Sequence, residues 1–274
     1  NPLSGAHKVF VRYCSSDAHM GNRSAPVFGW HFRGQAIVAA VLADLAAHRG
    51  LGTAANTTLV FGGASAGGRG SMTTLDFVAG MVPAAVTRVL GFLDSPYWMD
   101  VAPLAPGAVG MADMTRMAFE LANISGRVTP ECAAAYPGAD QWKCAFGQYR
   151  MPLLRTPFLL IASAFDAYQL GVDVGHRPTS PPELAYALHF AADTRTNMQA
   201  LPQLHTTAGA AFSTACYNHA VSGSPLYYTS AAVLPDGRRV TMSNATAMLL
   251  AGPHPGDNTW MDLCAAGFAC GSSC

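Results

Sequence analysis

The sequence predicts an α/β fold, a doubly wound and mostly parallel sheet with helices on both faces. Three observations carry this expectation. Strand-length apolar runs alternate with helix-length segments, and the clearest, Phe158-Leu-Leu-Ile-Ala162, shows no polar alternation, as strands covered on both faces require. A glycine-flanked serine, Ser65, lies where such a run, Thr58–Phe61, passes into a helix-like segment. Half of the 274 residues are hydrophobic and only 12% are charged, against ~25% for ordinary soluble domains. A chain of this length and composition reads as a single domain spanning 1–274.

Taken in order, Val9–Tyr13 reads as a strand and Gly34–Arg49 as a helix. The apolar stretch inside that helix, Ala36–Ala47, is broken by Asp44 and falls short of the ~20 residues that span a bilayer, so a buried amphipathic helix is expected. Leu59–Phe61 leads into the serine turn, and Gly70–Met81 is the helix that follows. Arg88–Asp94 reads as a strand and Met111–Asn123 as a helix. The Pro- and Gly-rich stretch Ala102–Gly110 is a loop within the domain. Thr156–Ala164 is the fully apolar strand, and Pro181–Ala200 a helix entered through Pro-Pro-Glu, where proline suits the first turn. No internal repeat or low-complexity segment interrupts the series.

Formal net charge is zero, so no basic field exists to hold nucleic acid. Seven cysteines include the close pair Cys132 and Cys144 and the cluster Cys264, Cys270 and Cys274. Four Asn-x-Ser/Thr sequons start at Asn22, Asn56, Asn123 and Asn244. Together they favour disulfides and a secretory, oxidising environment. A zinc site is the weaker reading, because no Cys-x-x-Cys pair or suitably spaced histidine supports it. No metal or cofactor is expected. The chain opens on Asn1-Pro-Leu-Ser4 with neither an initiator methionine nor a signal peptide, which reads as a start partway through a domain.

Gly63-Ala-Ser65-Ala-Gly67 fits a nucleophile elbow, in which a serine on a strained strand-to-helix turn projects its hydroxyl into a cleft. The backbone N–H of Ala66, and that of Gly67, can then receive a developing oxyanion. The pentapeptide alone also fits an ordinary glycine-rich βα turn. A serine nucleophile needs a base, and the base needs an acid to hold its tautomer. In hydrolase-type doubly wound sheets the chain order is Ser, Asp or Glu, then His. Asp166 lies just past the apolar strand Phe158–Ala162, although an N-cap of a following helix is the other reading. His219 lies in a late loop. His189 falls inside a predicted helix, and His31 and His48 precede the serine. By order alone His205 and His254 compete with His219.

Six segments then occur together in order: Tyr13-Cys-Ser-Ser-Asp17, Gly63-Ala-Ser-Ala-Gly-Gly68, Leu93-Asp-Ser95, Trp142-Lys-Cys-Ala-Phe-Gly147, Phe165-Asp-Ala-Tyr-Gln-Leu170 and Cys216-Tyr-Asn-His219. Their series resembles the pectin acetylesterase/Notum family of α/β-hydrolase carboxylesterases from about Val9 to the terminal cysteines. The resemblance implies Ser65 as nucleophile, Asp166 as acid and His219 as base, and sets aside His205 and His254. It also places Trp98 and Phe146 at positions resembling pocket-lining sites of the animal branch, with core packing as the alternative. One departure is the Gly-Gly-Trp segment that the family carries upstream of Tyr-Cys-Ser-Ser and that supplies an oxyanion donor. No such segment precedes Tyr13, so the hole rests on Ala66 and Gly67, and one missing donor typically costs ~10²–10³ in turnover. A missing N-terminal portion is therefore expected. With an odd cysteine count, Cys14 and Cys216 are equal candidates for a thiol whose partner lies outside the chain.

The implied reaction is acyl transfer to Ser65 and then to water. Plant-like and microbial members of the family remove acetyl groups from pectin, whereas the animal branch removes a palmitoleoyl group from a signalling protein. Arg69, four residues after the nucleophile, is awkward in a greasy pocket but able to pair with a uronate carboxylate, or is simply a solvated helix residue. The expectation is an esterase acting on an acylated polysaccharide, with an acylated protein as the alternative substrate. A serine peptidase or lipase, and a non-catalytic binding domain on the same scaffold, are the other classes.

Overall fold

The structure is a computed structural model and describes residues 1–125, 128–252, 256–264, 266–272 and 274. Its helices are α1 (Gly34–Arg49), α2 (Ala66–Met81), α3 (Met111–Ala122), α4 (Pro130–Ala135), α5 (Gly147–Arg150), α6 (Ala167–Val174), α7 (Pro181–Gln199), α8 (Leu226–Thr229) and α9 (Met242–Ala251). Its strands are β1 (Thr57–Ala64), β2 (Thr87–Asp94), β3 (Phe158–Ile161), β4 (Phe165–Asp166), β5 (Gly209–Ser213), β6 (Tyr217–Asn218), β7 (Ala231–Val233), β8 (Arg239–Thr241) and β9 (Thr259–Met261).

Strands β1-β2-β3-β5-β9 form one sheet in that order, and every pairing in it is parallel. The strand β3 shows why its sequence carries no alternation. Phe158 and Leu160 enter a core with Leu75 of α2 and Phe190 of α7, while Leu159 and Ile161 enter a second core with Leu249 of α9 and Trp260. Both faces of the sheet are thus covered, which is the α/β architecture expected. Two smaller pairings lie outside it, β4 with β6 in parallel and β7 with β8 antiparallel.

Helix ends follow their local chemistry. α1 stops at Gly50, whose φ of 74° is the left-handed cap a glycine supplies at no steric cost. α7 opens on a capping box between Ser180 and Glu183 with proline in its first turn. The buried face of α1 is narrower than expected: only Gly34, Gln35, Val38 and Leu42 are buried, with Val38 and Leu42 packed against Val78 of α2. Between α2 and the entry to β3, the buried Arg150 donates to Asp76 at 2.9 Å. Asp76 also accepts from the Thr156 amide and hydroxyl at 2.9 and 2.8 Å.

Val9–Tyr13 is not a strand, which corrects the expectation. Among the described residues no strand pairs with it, Phe10 is 86% exposed, and the segment leads into a loop organised by polar contacts instead. In that loop the buried Asp17 accepts from Ser15 Oγ at 2.5 Å and from the Gly34 amide at 2.7 Å. Disulfides join Cys132 to Cys144, Cys216 to Cys274 and Cys264 to Cys270. Cys14 is exposed and free, so the choice between Cys14 and Cys216 falls on Cys14. Among the described residues no helix is long and apolar enough to cross a membrane.

Candidate active site

Ser65 is the residue between β1 and α2, with φ 54° and ψ −117°, a backbone state that a residue with a Cβ adopts only under constraint. The constraint is close packing of strand and helix. A Cβ on Gly63 would lie 2.5 Å from the carbonyl carbon of Gly67, and one on Gly68 would lie 2.4 Å from the Asp94 carbonyl oxygen. The Ser65 amide donates to that same Asp94 oxygen at 2.9 Å, and the Ser65 carbonyl accepts from the Arg69 amide at 2.8 Å.

Asp166 ends β4 and is the N-cap of α6. Its Oδ1 accepts from the Tyr168 and Gln169 amides at 3.1 and 2.9 Å. Pairing of β4 with β6 sets Asp166 opposite Asn218, so the next residue, His219, arrives beside the carboxylate. His219 Nδ1 lies 2.7 Å from Asp166 Oδ2, and His219 Nε2 lies 2.7 Å from Ser65 Oγ. With Nδ1–H donated to Asp166, Nε2 is left to accept the serine proton. Burial of the imidazole disfavours its cation. The hydrogen bond and charge of Asp166, with the charge of Asp94 beyond it, outweigh that penalty, and the His219 pKa is raised above 6.5.

Ala66 and Gly67 occupy the first turn of α2, where N–H groups have no intrahelical acceptor and the helix dipole favours negative charge. The space beside Gly67 is open, with nothing within 4 Å of a Cβ built there. A cleft of about 720 Å³ runs along β1 past Gly63 and Ala64 to Ser222 and Tyr227, beside the elbow, and its lining includes neither Ser65 nor His219.

The three residues singled out as pocket lining separate. Trp98 is 6% exposed and stacks against Tyr168 at 6.0 Å, and Tyr168 stacks on the His219 ring at 5.3 Å. The Arg69 guanidinium lies 5.1 Å from the Trp98 ring centre. Arg69 is buried rather than solvated: its Nε donates to the Ala145 carbonyl at 3.0 Å, and Nη2 has no partner among the described residues. Burial pulls its pKa down to about 10, against the pull of the Tyr13 and Tyr168 phenols, so it remains a cation at neutral pH. Phe146 is fully buried, edge-on to Trp142 at 5.6 Å, and so packs the core instead of lining a pocket. Tyr168 is not among the residues the sequence singles out, and its place two residues after Asp166 is the one signal available for it. His205 is exposed at the end of the turn Pro202–His205, and His254 lies outside the described residues. Among the described residues no cluster of His, Cys, Asp or Glu is placed to hold a metal ion.

A parallel sheet with a serine at the elbow, and with an acid and a histidine delivered from the ends of later strands, is the α/β-hydrolase arrangement. The pectinacetylesterase family profile matches residues 3–274, and the chain belongs to that family. Palmitoleoyl-protein carboxylesterase NOTUM of Drosophila melanogaster is 31% identical over 79% of this chain and 32% of its own length. Its Homo sapiens counterpart is 28% identical over 79% and 44%, and pectin acetylesterase 5 of Arabidopsis thaliana is 28% identical over 60% and 37%. The chain thus spans 32% to 44% of the length of these relatives. A crystal structure of the Wnt deacylase Notum from Drosophila superimposes with a TM-score of 0.76 at 26% identity, covering 93% of this chain and 72% of that one.

Proposed function

We propose that the protein is a serine carboxylesterase that removes O-acyl groups, O-acetyl groups of pectin or a related polysaccharide in the first instance. The observation that carries this reading is the unbroken contact from Ser65 Oγ through His219 to Asp166, 2.7 Å at each step. His219 takes the Ser65 proton as the oxygen attacks the ester carbonyl, and the Ala66 and Gly67 amides receive the negative oxygen. The sugar alcohol leaves with the proton returned from His219. Water, deprotonated by His219, then attacks the acyl-enzyme, releasing the carboxylic acid and restoring Ser65. Asp166 holds the ring and stabilises its cation.

Arg69 favours the polysaccharide reading. A guanidinium that stays a cation one turn past Ser65 suits a substrate with carboxylates more than a hydrocarbon chain. The specific observation for the alternative, a palmitoleoyl-protein deacylase, is the likeness to the Drosophila enzyme of that name. The sequons and disulfides support a secreted or cell-wall location.

The test compares wild type with Ser65→Ala on acetylated pectin and on a palmitoleoylated peptide. Wild type is expected to release acetate, and Ser65→Ala to lose at least ~10³-fold in kcat. Faster cleavage of the peptide selects the deacylase. Equal rates for wild type and Ser65→Ala on both substrates would overturn the esterase. If wild-type Ser65 also failed to accept a fluorophosphonate, a binding domain would be left.

A further inference from the structure

Leu93-Asp-Ser95, one of the six recurring segments, has no part in the acyl transfer above. Yet Asp94 is fully buried and Ser95 nearly so, and among the described residues no lysine or arginine pairs with the Asp94 carboxylate. A buried carboxylate without a cation is costly unless its oxygens are hydrogen-bonded, and here they are. Asp94 Oδ1 accepts from Ser95 Oγ at 2.9 Å, and Oδ2 accepts from the Ser222 amide at 2.8 Å. Ser95 Oγ in turn accepts from the Ala220 amide at 3.0 Å. The two amides so held lie one and three residues after His219. Ala220 has φ 56°, a left-handed state disfavoured for any residue with a Cβ, so the turn behind the imidazole is held by these contacts.

The same dipeptide grips the nucleophile. β2 lies beside β1 with Asp94 opposite Ala64, the Asp94 carbonyl accepts from the Ser65 amide, and the Ser95 amide donates to the Ile161 carbonyl at 2.7 Å. One end of β2 therefore fixes both the elbow backbone and the loop that brings the base.

We propose that Asp94 and Ser95 are positioning residues for His219: they set the imidazole against Ser65 through the Ala220 and Ser222 amides, and Asp94 adds a second carboxylate that favours the imidazolium formed during reaction. The inference rests on the reading of His219 as the base. The groups facing His219 are Asp166 from β4, Tyr168 from α6, Ser65 from the elbow, and Asp94 with Ser95 from β2. Of these, Asp166 and Asp94 carry the negative charge.

The test has a kinetic arm and an arm that needs no turnover. Asp94→Asn removes the charge, and Ser95→Ala removes the Ala220 contact. Both losses should lower kcat by roughly 10–100-fold with KM within about twofold, as expected when a reacting group shifts by a fraction of an ångström to an ångström. In the Ser65→Ala background, NMR titration of the His219 ring should show its midpoint moving to lower pH in Asp94→Asn and staying in place in Ser95→Ala. A folded Asp94→Asn with wild-type kcat and an unmoved midpoint overturns the proposal. Should Asp94→Asn not fold, Ser95→Ala decides, and a kcat within twofold of wild type refutes it. Absence of wild-type activity on every ester would instead sink the esterase, and the NMR arm would still report on Asp94.

Discussion

Asp166 does two jobs with two oxygens. Oδ1 caps α6 through the Tyr168 and Gln169 amides while Oδ2 faces His219, so the N-cap and the proposed acid, set against each other in the sequence, fall to one side chain. Capping needs an oxygen, whereas fixing the imidazole tautomer needs a carboxylate. Asp166→Asn separates the two. It should fold with α6 intact by circular dichroism, since asparagine caps about as well as aspartate. Its kcat should fall by roughly 10⁴, the order found when a triad aspartate is amidated. The raised pKa of His219 adds a sign. With the neutral ring as the proposed base, wild-type kcat/KM should decline as pH falls through a midpoint above 6.5, and in Asp166→Asn that limb should move to lower pH. The linkage runs the other way for stability: a raised folded-state pKa stabilises the protein fully below the unfolded value near 6.5, and that contribution fades as pH rises through the folded midpoint. A wild-type limb at or below 6.5 would contradict the charge balance drawn around His219.

At the scale of elements, the elbow depends on how closely α2 approaches β1 and β2. Gly68→Ala would set a Cβ 2.4 Å from the Asp94 carbonyl oxygen, a backbone atom that cannot swing aside, whereas Gly67→Ala meets nothing within 4 Å. The first should lose roughly 1–3 kcal/mol or more through overpacking and pull the elbow from the β2 end. The second should melt close to wild type, and equal melting temperatures would show that this approach is not tight. Elements with strong local signals were legible in the sequence. Gly34–Arg49 carried its stop at Gly50, α7 its Ser180–Glu183 box, and β3 its continuous apolar run. Others were not. β5 is Gly209-Ala-Ala-Phe-Ser213, too short and too small in its side chains to show a period, although the fold buries every residue of it. β4 and β6 have two residues each and exist only because distant segments meet. Val9–Tyr13 carries a strand pattern without a neighbour to pair with. Ser65, Asp166 and His219 were legible as a candidate set from chain order together with the family resemblance, and the structure brings the three side chains into contact. Tyr168 and Ser95 lie inside two of the six ordered segments, but that Tyr168 stacks on His219 and Ser95 holds the Ala220 amide arises from tertiary contact, which the spacing does not reveal.

Across the whole molecule, the C-terminal turn Gly267–Ser272 closes over the β4–β6 pair. Phe268 packs edge-on against Phe165 at 5.2 Å and Tyr217 at 5.5 Å, and the Cys216–Cys274 bond ties the chain end to a point three residues before His219. That bond spans a sequence separation of 58, against 12 for Cys132–Cys144. In the chain-entropy account, breaking the longer loop costs about 4 kcal/mol and the shorter about 3 kcal/mol. At roughly 2–4 °C per kcal/mol for a chain near this size, both paired serine variants should melt well below wild type, with Cys216→Ser/Cys274→Ser the lower. The same calorimetry bears on domain organisation. We propose that residues 1–274 unfold as one unit, because β3 feeds the cores on both faces of the sheet and neither can open without exposing the other. Each variant should then show one transition moved as a whole. A Cys216→Ser/Cys274→Ser trace that splits into two transitions would mean that the C-terminal turn and its strand pair melt apart from the sheet, and the single-unit reading would fall with it.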